Sequence, residues 1–151
     1  MPGMVATPAD LRPVEVPGLE IGRLEADGLD EAIAVAAAGF EAPPELVARL
    51  FTRSVAGLEG AAFYVGRVAG RAVSTAIGLT ASADVGIFDV ATPPEHRRRG
   101  YGSALTAGAA RDGFAAGADL AWLQSSAIGE PVYRRLGFRQ VETYVLLPRG
   151  S

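Results

Sequence analysis

The sequence predicts a single α+β domain, and three observations carry that reading. Residues 61 to 91 have the alternating apolar texture of strands, a glycine-bearing loop follows, and a helical stretch then leads to a short apolar strand near residue 120. Strand, helix and strand in that order make a βαβ unit, whose crossover is right-handed in nearly all proteins, so the helix falls on a defined face of the sheet. With 151 residues, 49% of them apolar and 21% charged, the chain has material for one core. No internal repeat is visible.

Taken in order, residues 1–18 are rich in proline and glycine and are expected to form a flexible lead-in, with the folded domain spanning residues 19–147. Leu19 to Leu24 reads as a short strand. Asp27, Asp30 and Glu31 suit a helix start, and Ile33, Val35, Ala36 and Phe40 continue that helix to about Phe40. Pro43-Pro44-Glu45 opens a second, with Leu46, Val47, Leu50 and Phe51 near helical spacing as far as Val55. Ala61 to Val68 and Arg71 to Thr80 form a hairpin around Ala69-Gly70. Val85 to Ala91 is a third antiparallel strand, in which Gly86 permits a bulge or a close approach. Gly102 to about Ala116 is a helix, Leu120 to Gln124 a buried strand, Pro131 to Leu136 a short helix, and Phe138 to Leu147 the closing strands. Residues 148–151 look like the remnant of an engineered protease site.

Composition narrows the function classes. A formal net charge of −3 without a long basic stretch argues against nucleic acid. The absence of cysteine removes disulfides, thiolate metal sites and a cysteine nucleophile, and one histidine argues against a histidine-rich metal centre, so no metal is expected. The start of the chain lacks the basic and apolar blocks of a signal peptide, and the run from Ala32 to Ala38 is far too short to span a bilayer. A cytoplasmic protein with no membrane partner is the expectation.

The segment Thr92-Pro93-Pro94-Glu95-His96-Arg97-Arg98-Arg99-Gly100-Tyr101-Gly102-Ser103 joins strand to helix. The first turn of a helix carries orphan amides and the positive end of the dipole, so the segment suits an anion, with a diphosphate the natural ligand. Gly100 and Gly102 clear space for phosphate oxygens, and the arginines add charge. A Walker loop needs a Gly-Lys-Ser/Thr ending that is missing, and Leu105 stands where the dinucleotide fingerprint needs a third small residue.

Arg97, Gly100 and Gly102 match the Gln/Arg-x-x-Gly-x-Gly/Ala loop of the GNAT superfamily of N-acetyltransferases, which the segment resembles. Val90-Ala91-Thr92-Pro93-Pro94-Glu95 is similar to the family's preceding strand end. Tyr133-Arg134-Arg135-Leu136-Gly137-Phe138 matches its Tyr-x-x-x-Gly-Phe block. The resemblance is clear over Val85 to Phe138 and extends back to Leu19 by element order. It implies an α/β/α layered, mixed sheet of about six to seven strands with about four helices, built around an acetyl-CoA-binding βαβ unit. It further implies an acetyl-CoA-dependent N-acetyltransferase. Val90, Ala91 and Thr92 would pair with the pantetheine arm, and Arg97, Arg98, Arg99, Gly100, Tyr101, Gly102 and Ser103 would cradle the pyrophosphate. Ser126 stands where many members have asparagine, and either bonds the pantetheine arm or caps the strand end.

The chemistry so implied is direct attack of a neutral amine on the thioester in a ternary complex, with Tyr133 as general acid to the leaving sulfur; an unperturbed phenol, pKa about 10, keeps its proton at neutral pH. Asp84, Asp89, Glu41 and Glu45 are undistinguished as the base. Asp84 and Asp89 are an odd number of positions apart and face opposite sides of a regular strand unless a bulge intervenes. His96 reads as structural or CoA-adjacent and Trp122 as core, while Phe40 or Phe51 would shape the acceptor site. The amine is not named by the sequence. The alternative is a non-catalytic acyl-CoA sensor or interaction module of the same fold. The protein would be a monomer or a homodimer, the latter through the strand edge at Val141 to Leu147.

Overall fold

The computed structural model describes residues 1–143, with the side chains of residues 142 and 143 left aside. Strands β1 (Pro2–Ala6) and β2 (Leu19–Arg23) lead into helices α1 (Leu29–Phe40), α2 (Pro44–Val47) and α3 (Arg53–Ala56). Strands β3 (Ala61–Val68), β4 (Arg71–Ala81) and β5 (Asp84–Ala91) follow, then α4 (Tyr101–Ala115), β6 (Leu120–Gln124), α5 (Glu130–Arg135) and β7 (Arg139–Thr143). The seven strands form one sheet in the order β2-β3-β4-β5-β6-β1-β7. β5 and β6 pair in parallel and the other neighbours run antiparallel.

Alternation along the strands divides the core into two layers. Tyr64, Ala76, Val85 and Ile87 pack with Leu105, Ala109 and Ala110 of α4 on one face. Phe63 and Ile77 pack with Ala32, Ala36 and Val47 of α1 and α2 on the other. The α+β layout expected from the sequence is therefore present. The Ala69-Gly70 hairpin loop has positive φ at both residues, 51° and 79°, which matches the twist of the flanking strands. Ala118 and Leu136 close the α4-side cluster near the ends of α4 and α5. Among the described residues no helix is long and apolar enough to cross a membrane.

Two expectations need correction. The flexible lead-in is instead packed structure. Pro2–Ala6 enters the sheet between β6 and β7, with Met4, Val5 and Ala6 buried. Leu11 and Val14 cover the core, and the Arg12 amide donates to the Leu136 carbonyl at 2.9 Å. Proline and glycine punctuate this segment, but the Met4-Val5-Ala6 run between them has enough apolar surface to fill an inner strand position. The second helix is also split. Thr52 Oγ1 accepts from the Val55 amide at 3.1 Å, so Thr52 caps a new helix rather than continuing the old one. Of the closing strands, β7 is described over Arg139–Thr143, and the rest of the expected Val141 to Leu147 pairing edge lies outside the described residues.

Candidate active site

The site forms where β5 and β6 part. Their pairing runs Asp84↔Leu120, Val85↔Ala121 and Gly86↔Trp122, while β5 continues to Ala91 and β6 to Gln124 beyond it. A V-shaped opening with unpaired backbone results. Gly86 is what lets the strands meet at its base: a Cβ there would lie 2.8 Å from both the Phe88 and Trp122 rings, which pack edge to face at 5.1 Å. The close-approach alternative for Gly86 thus holds, and Trp122 is half-buried with its ring against Phe88.

The bulge lies further along. Three steps of β5, Phe88 to Ala91, face two steps of β4, Thr75 to Ile77, so β5 carries one extra residue. Asp89 sits at this point with φ 52°, a left-handed conformation that Asp and Asn accept better than other side-chain-bearing residues. Its carboxyl is half-buried and has no hydrogen-bond or ion-pair partner among the described residues, and burial raises its pKa above the usual carboxylate range.

A cavity of about 330 Å³ fills the opening. Phe88, Asp89 and Val90 line one side, Gln124 and Ser126 the other, with Tyr133 also in the wall. Tyr133 comes from α5 and packs edge to face on Phe138, with ring centroids 6.2 Å apart. Burial raises the Tyr133 pKa, and the Thr106 hydroxyl beside it works the other way. Its phenol therefore stays protonated at neutral pH and can serve as an acid. Ser126 Oγ accepts from the Gly129 amide at 3.0 Å, so it does cap the turn into α5, while its own hydrogen remains available to the cavity.

The loop after β5 turns sharply into α4. Gly100 caps α4 with φ 83°, and Arg98 is also left-handed at φ 64°. The Ala104 amide donates to the Gly100 carbonyl at 3.0 Å, so the amides of Tyr101, Gly102 and Ser103 precede the first helical bond. A Cβ on Gly102 would lie 3.4 Å from Val90 Cγ1, which ties this turn to the cavity wall. The Tyr101 ring is buried, leaving its amide as the available group, and Arg98 and Arg99 are exposed.

Arg97 has a different setting from the one its motif position suggests. Its Nε donates to the Thr92 carbonyl at 3.0 Å and its Nη2 to the Gly39 carbonyl at 2.7 Å. The side chain thereby fastens the end of α1 to the loop. Gly39 makes that contact possible, since a Cβ there would stand 2.9 Å from the Thr92 nitrogen. Ser74 Oγ donates to the Ala91 carbonyl at 3.0 Å and shares a 2.9 Å bond with Thr92 Oγ1. Of the three strand-end residues, Val90 is the one that faces the cavity.

The other expected residues divide as follows. Asp84, Glu41 and Glu45 are exposed and outside this cavity, so Asp89 stands apart from them. Phe40 lines the cavity, whereas Phe51 is 2% exposed and packs on Phe63 at 5.3 Å in the core. His96 is half-buried in the turn before the loop. Gln124 and Phe88 are wall residues that no sequence motif marked.

Residues 20–141 match the family model described as "Acetyltransferase (GNAT) domain". A GCN5-related N-acetyltransferase from Kribbella flavida superposes with TM-score 0.71 at 28% identity, covering 92% of this chain and 53% of that one. The chain thus spans about half the length of that protein. A Trypanosoma brucei acetyltransferase gives TM-score 0.71 at 26% identity over 86% of this chain and 99% of that one. The aminoglycoside N-acetyltransferase AAC(6')-Iy, in complex with the bisubstrate analogue CoA-S-monomethyl-acetylneamine, shares the fold with TM-score 0.74 at 17% identity, over 88% and 99% of the two chains. No curated protein matches the sequence.

Proposed function

The chain belongs to the GNAT acetyltransferase family, and on that premise we propose that it moves the acetyl group of acetyl-CoA to a primary amine by direct attack in a ternary complex. The observation that carries this reading is the opening between β5 and β6, which places Asp89, Val90, Ser126 and Tyr133 around one cavity beside the start of α4.

The residues present fit acetyl-CoA. The orphan amides of Tyr101, Gly102 and Ser103 and the dipole of α4 suit the pyrophosphate, and Gly102 leaves open the space a side chain would fill. Arg98 and Arg99 add positive charge from the surface. Arg97 positions the loop by holding Thr92 and Gly39. The free backbone at Val90 and the Ser126 hydroxyl suit the pantetheine amides. When bound, acetyl-CoA supplies an activated acyl carbonyl and a thiolate leaving group.

Asp89 is the general base in this reading. A carboxylate with a raised pKa is a better acceptor for the proton of an alkylammonium than an ordinary one. The amine nitrogen forms its new bond to the acyl carbon as the carbon–sulfur bond breaks. Of the two protons the ammonium sheds, one passes through Asp89 to solvent and the other balances the one Tyr133 gives to sulfur. Tyr133 then regains its proton, and the net products are amide, free CoA thiol and one proton.

Direct attack requires both substrates together. Initial rates of thiol release, measured with acetyl-CoA and an accepted amine varied in turn, should give intersecting double-reciprocal lines, and Tyr133→Phe should lower kcat by about 10²-fold. Parallel lines would point to a covalent acetyl-enzyme and contradict the mechanism.

A further inference from the structure

Asp89 and Phe88 belong to two cavities at once. Besides the one that holds Tyr133, they border a second of about 220 Å³ lined by Leu50, Val55, Leu58, Ile77 and Leu79, with Arg49 at its edge. This volume is below the roughly 300–1,000 Å³ of pockets that enclose drug-sized ligands, so it suits a compact body. Leu50 and Leu58 are 47% and 54% exposed, an apolar surface that core packing does not explain.

Charge at the junction is sparse and ordered. Among the described residues Asp89 is the sole carboxylate side chain lining either cavity and Arg49 the sole basic side chain, while the α-amino end of Met1 borders the first cavity only. Arg49 makes no ion pair among the described residues, so its positive charge stands at the second cavity with Asp89 as the one carboxylate sharing that lining. One carboxylate pairs with one ammonium. A second or third positive charge on the acceptor would find apolar side chains or Arg49, at a desolvation and repulsion cost.

We infer that the acceptor is a compact primary amine with a single positive charge on an apolar body. The amine meets Asp89 at the junction, and the apolar body lies among Leu50, Val55 and Leu58. Arg49 acts as a specificity residue that turns away polycations. This rests on the acetyl-transfer reading above, and it separates the chain from the aminoglycoside chemistry of the AAC(6')-Iy structure.

The test is thiol release from acetyl-CoA with phenethylamine and isoamylamine against spermidine and neamine, with acetyl-CoA affinity titrated on the same preparations. The intact protein should favour phenethylamine by at least about tenfold in kcat/KM. Leu58→Asp, at an exposed position, should cut that value about tenfold while acetyl-CoA affinity is kept. Arg49→Glu should raise kcat/KM for spermidine about fivefold. Acetyl-CoA binding together with faster turnover of spermidine or neamine would overturn the inference and leave acetyl transfer standing, as would selectivity unmoved by both variants. Failure of the intact protein to bind acetyl-CoA would remove the acetyl-transfer reading and this inference with it.

Discussion

Replacing Asp89 by asparagine should make the protein more stable and much less active. The backbone at this position is left-handed, φ 52°, and asparagine tolerates that conformation as well as aspartate does, so the bulge should be kept. The carboxyl is half-buried without a partner among the described residues, and because solvent still screens its exposed part, relieving the charge should gain at most about 1 kcal/mol at neutral pH. For a domain of this size that corresponds to a rise of about 2–4 °C in Tm. Linkage gives the pH signature. A carboxyl whose folded pKa is raised binds its proton more tightly in the folded state, so its contribution is fully present below the unfolded value of about 3.9 and is lost as pH rises toward the folded pKa. Asp89→Asn should remove that loss from melting curves recorded upward from pH 4. In thiol-release assays the same variant should lower kcat/KM by about 10²–10³-fold and abolish the acid limb of the pH–rate profile. Activity within about threefold of the parent, with the acid limb intact, would refute Asp89 as the base.

Other perturbations separate the parts of the account. Gly137 has φ 103°, and a Cβ there would collide with the Asp10 carbonyl, so Gly137→Ala should cost about 2 kcal/mol or more by denaturant titration if residues 7–14 pack as described. Tyr64 donates to Asp112 at 2.9 Å across β3 and α4, and burial with that partner pushes its pKa up to about 12; Tyr64→Phe should cost about 1 kcal/mol in stability and leave kcat unchanged. Arg97→Ala frees the end of α1 from the loop, and it should weaken acetyl-CoA binding and raise the amine KM together, whereas loss of a phosphate contact alone would move only the former.

Local patterns were the legible part of this chain. The α1 and α4 stretches, the Ala69-Gly70 hairpin and the glycine loop opening a helix each depend on neighbouring residues, and each stands where the sequence places it. What escaped depends on partners distant in sequence. Nothing in Met4-Val5-Ala6 announces that it lies between β6 and β7, strands more than a hundred residues away. The bulge at Asp89 is a property of register between β4 and β5, so the four acidic candidates could not be told apart without it. Arg97 carries a motif position but not its side-chain direction, which the nearby Gly39 carbonyl decides. α2 stops at Val47 and α3 begins after its Thr52 cap, a capping signal visible in the sequence but outweighed by the apolar spacing around it.

Isothermal titration of the intact protein with acetyl-CoA, beside Gly102→Asp, tests the central claim most directly. A carboxylate at that position would put a side chain and a negative charge into the turn that bears the orphan amides of α4. Saturable 1:1 binding by the intact protein should fall by at least about 10²-fold in the variant while its melting temperature is maintained; equal binding by both, or none by the intact protein, would contradict acetyl-CoA binding at the start of α4.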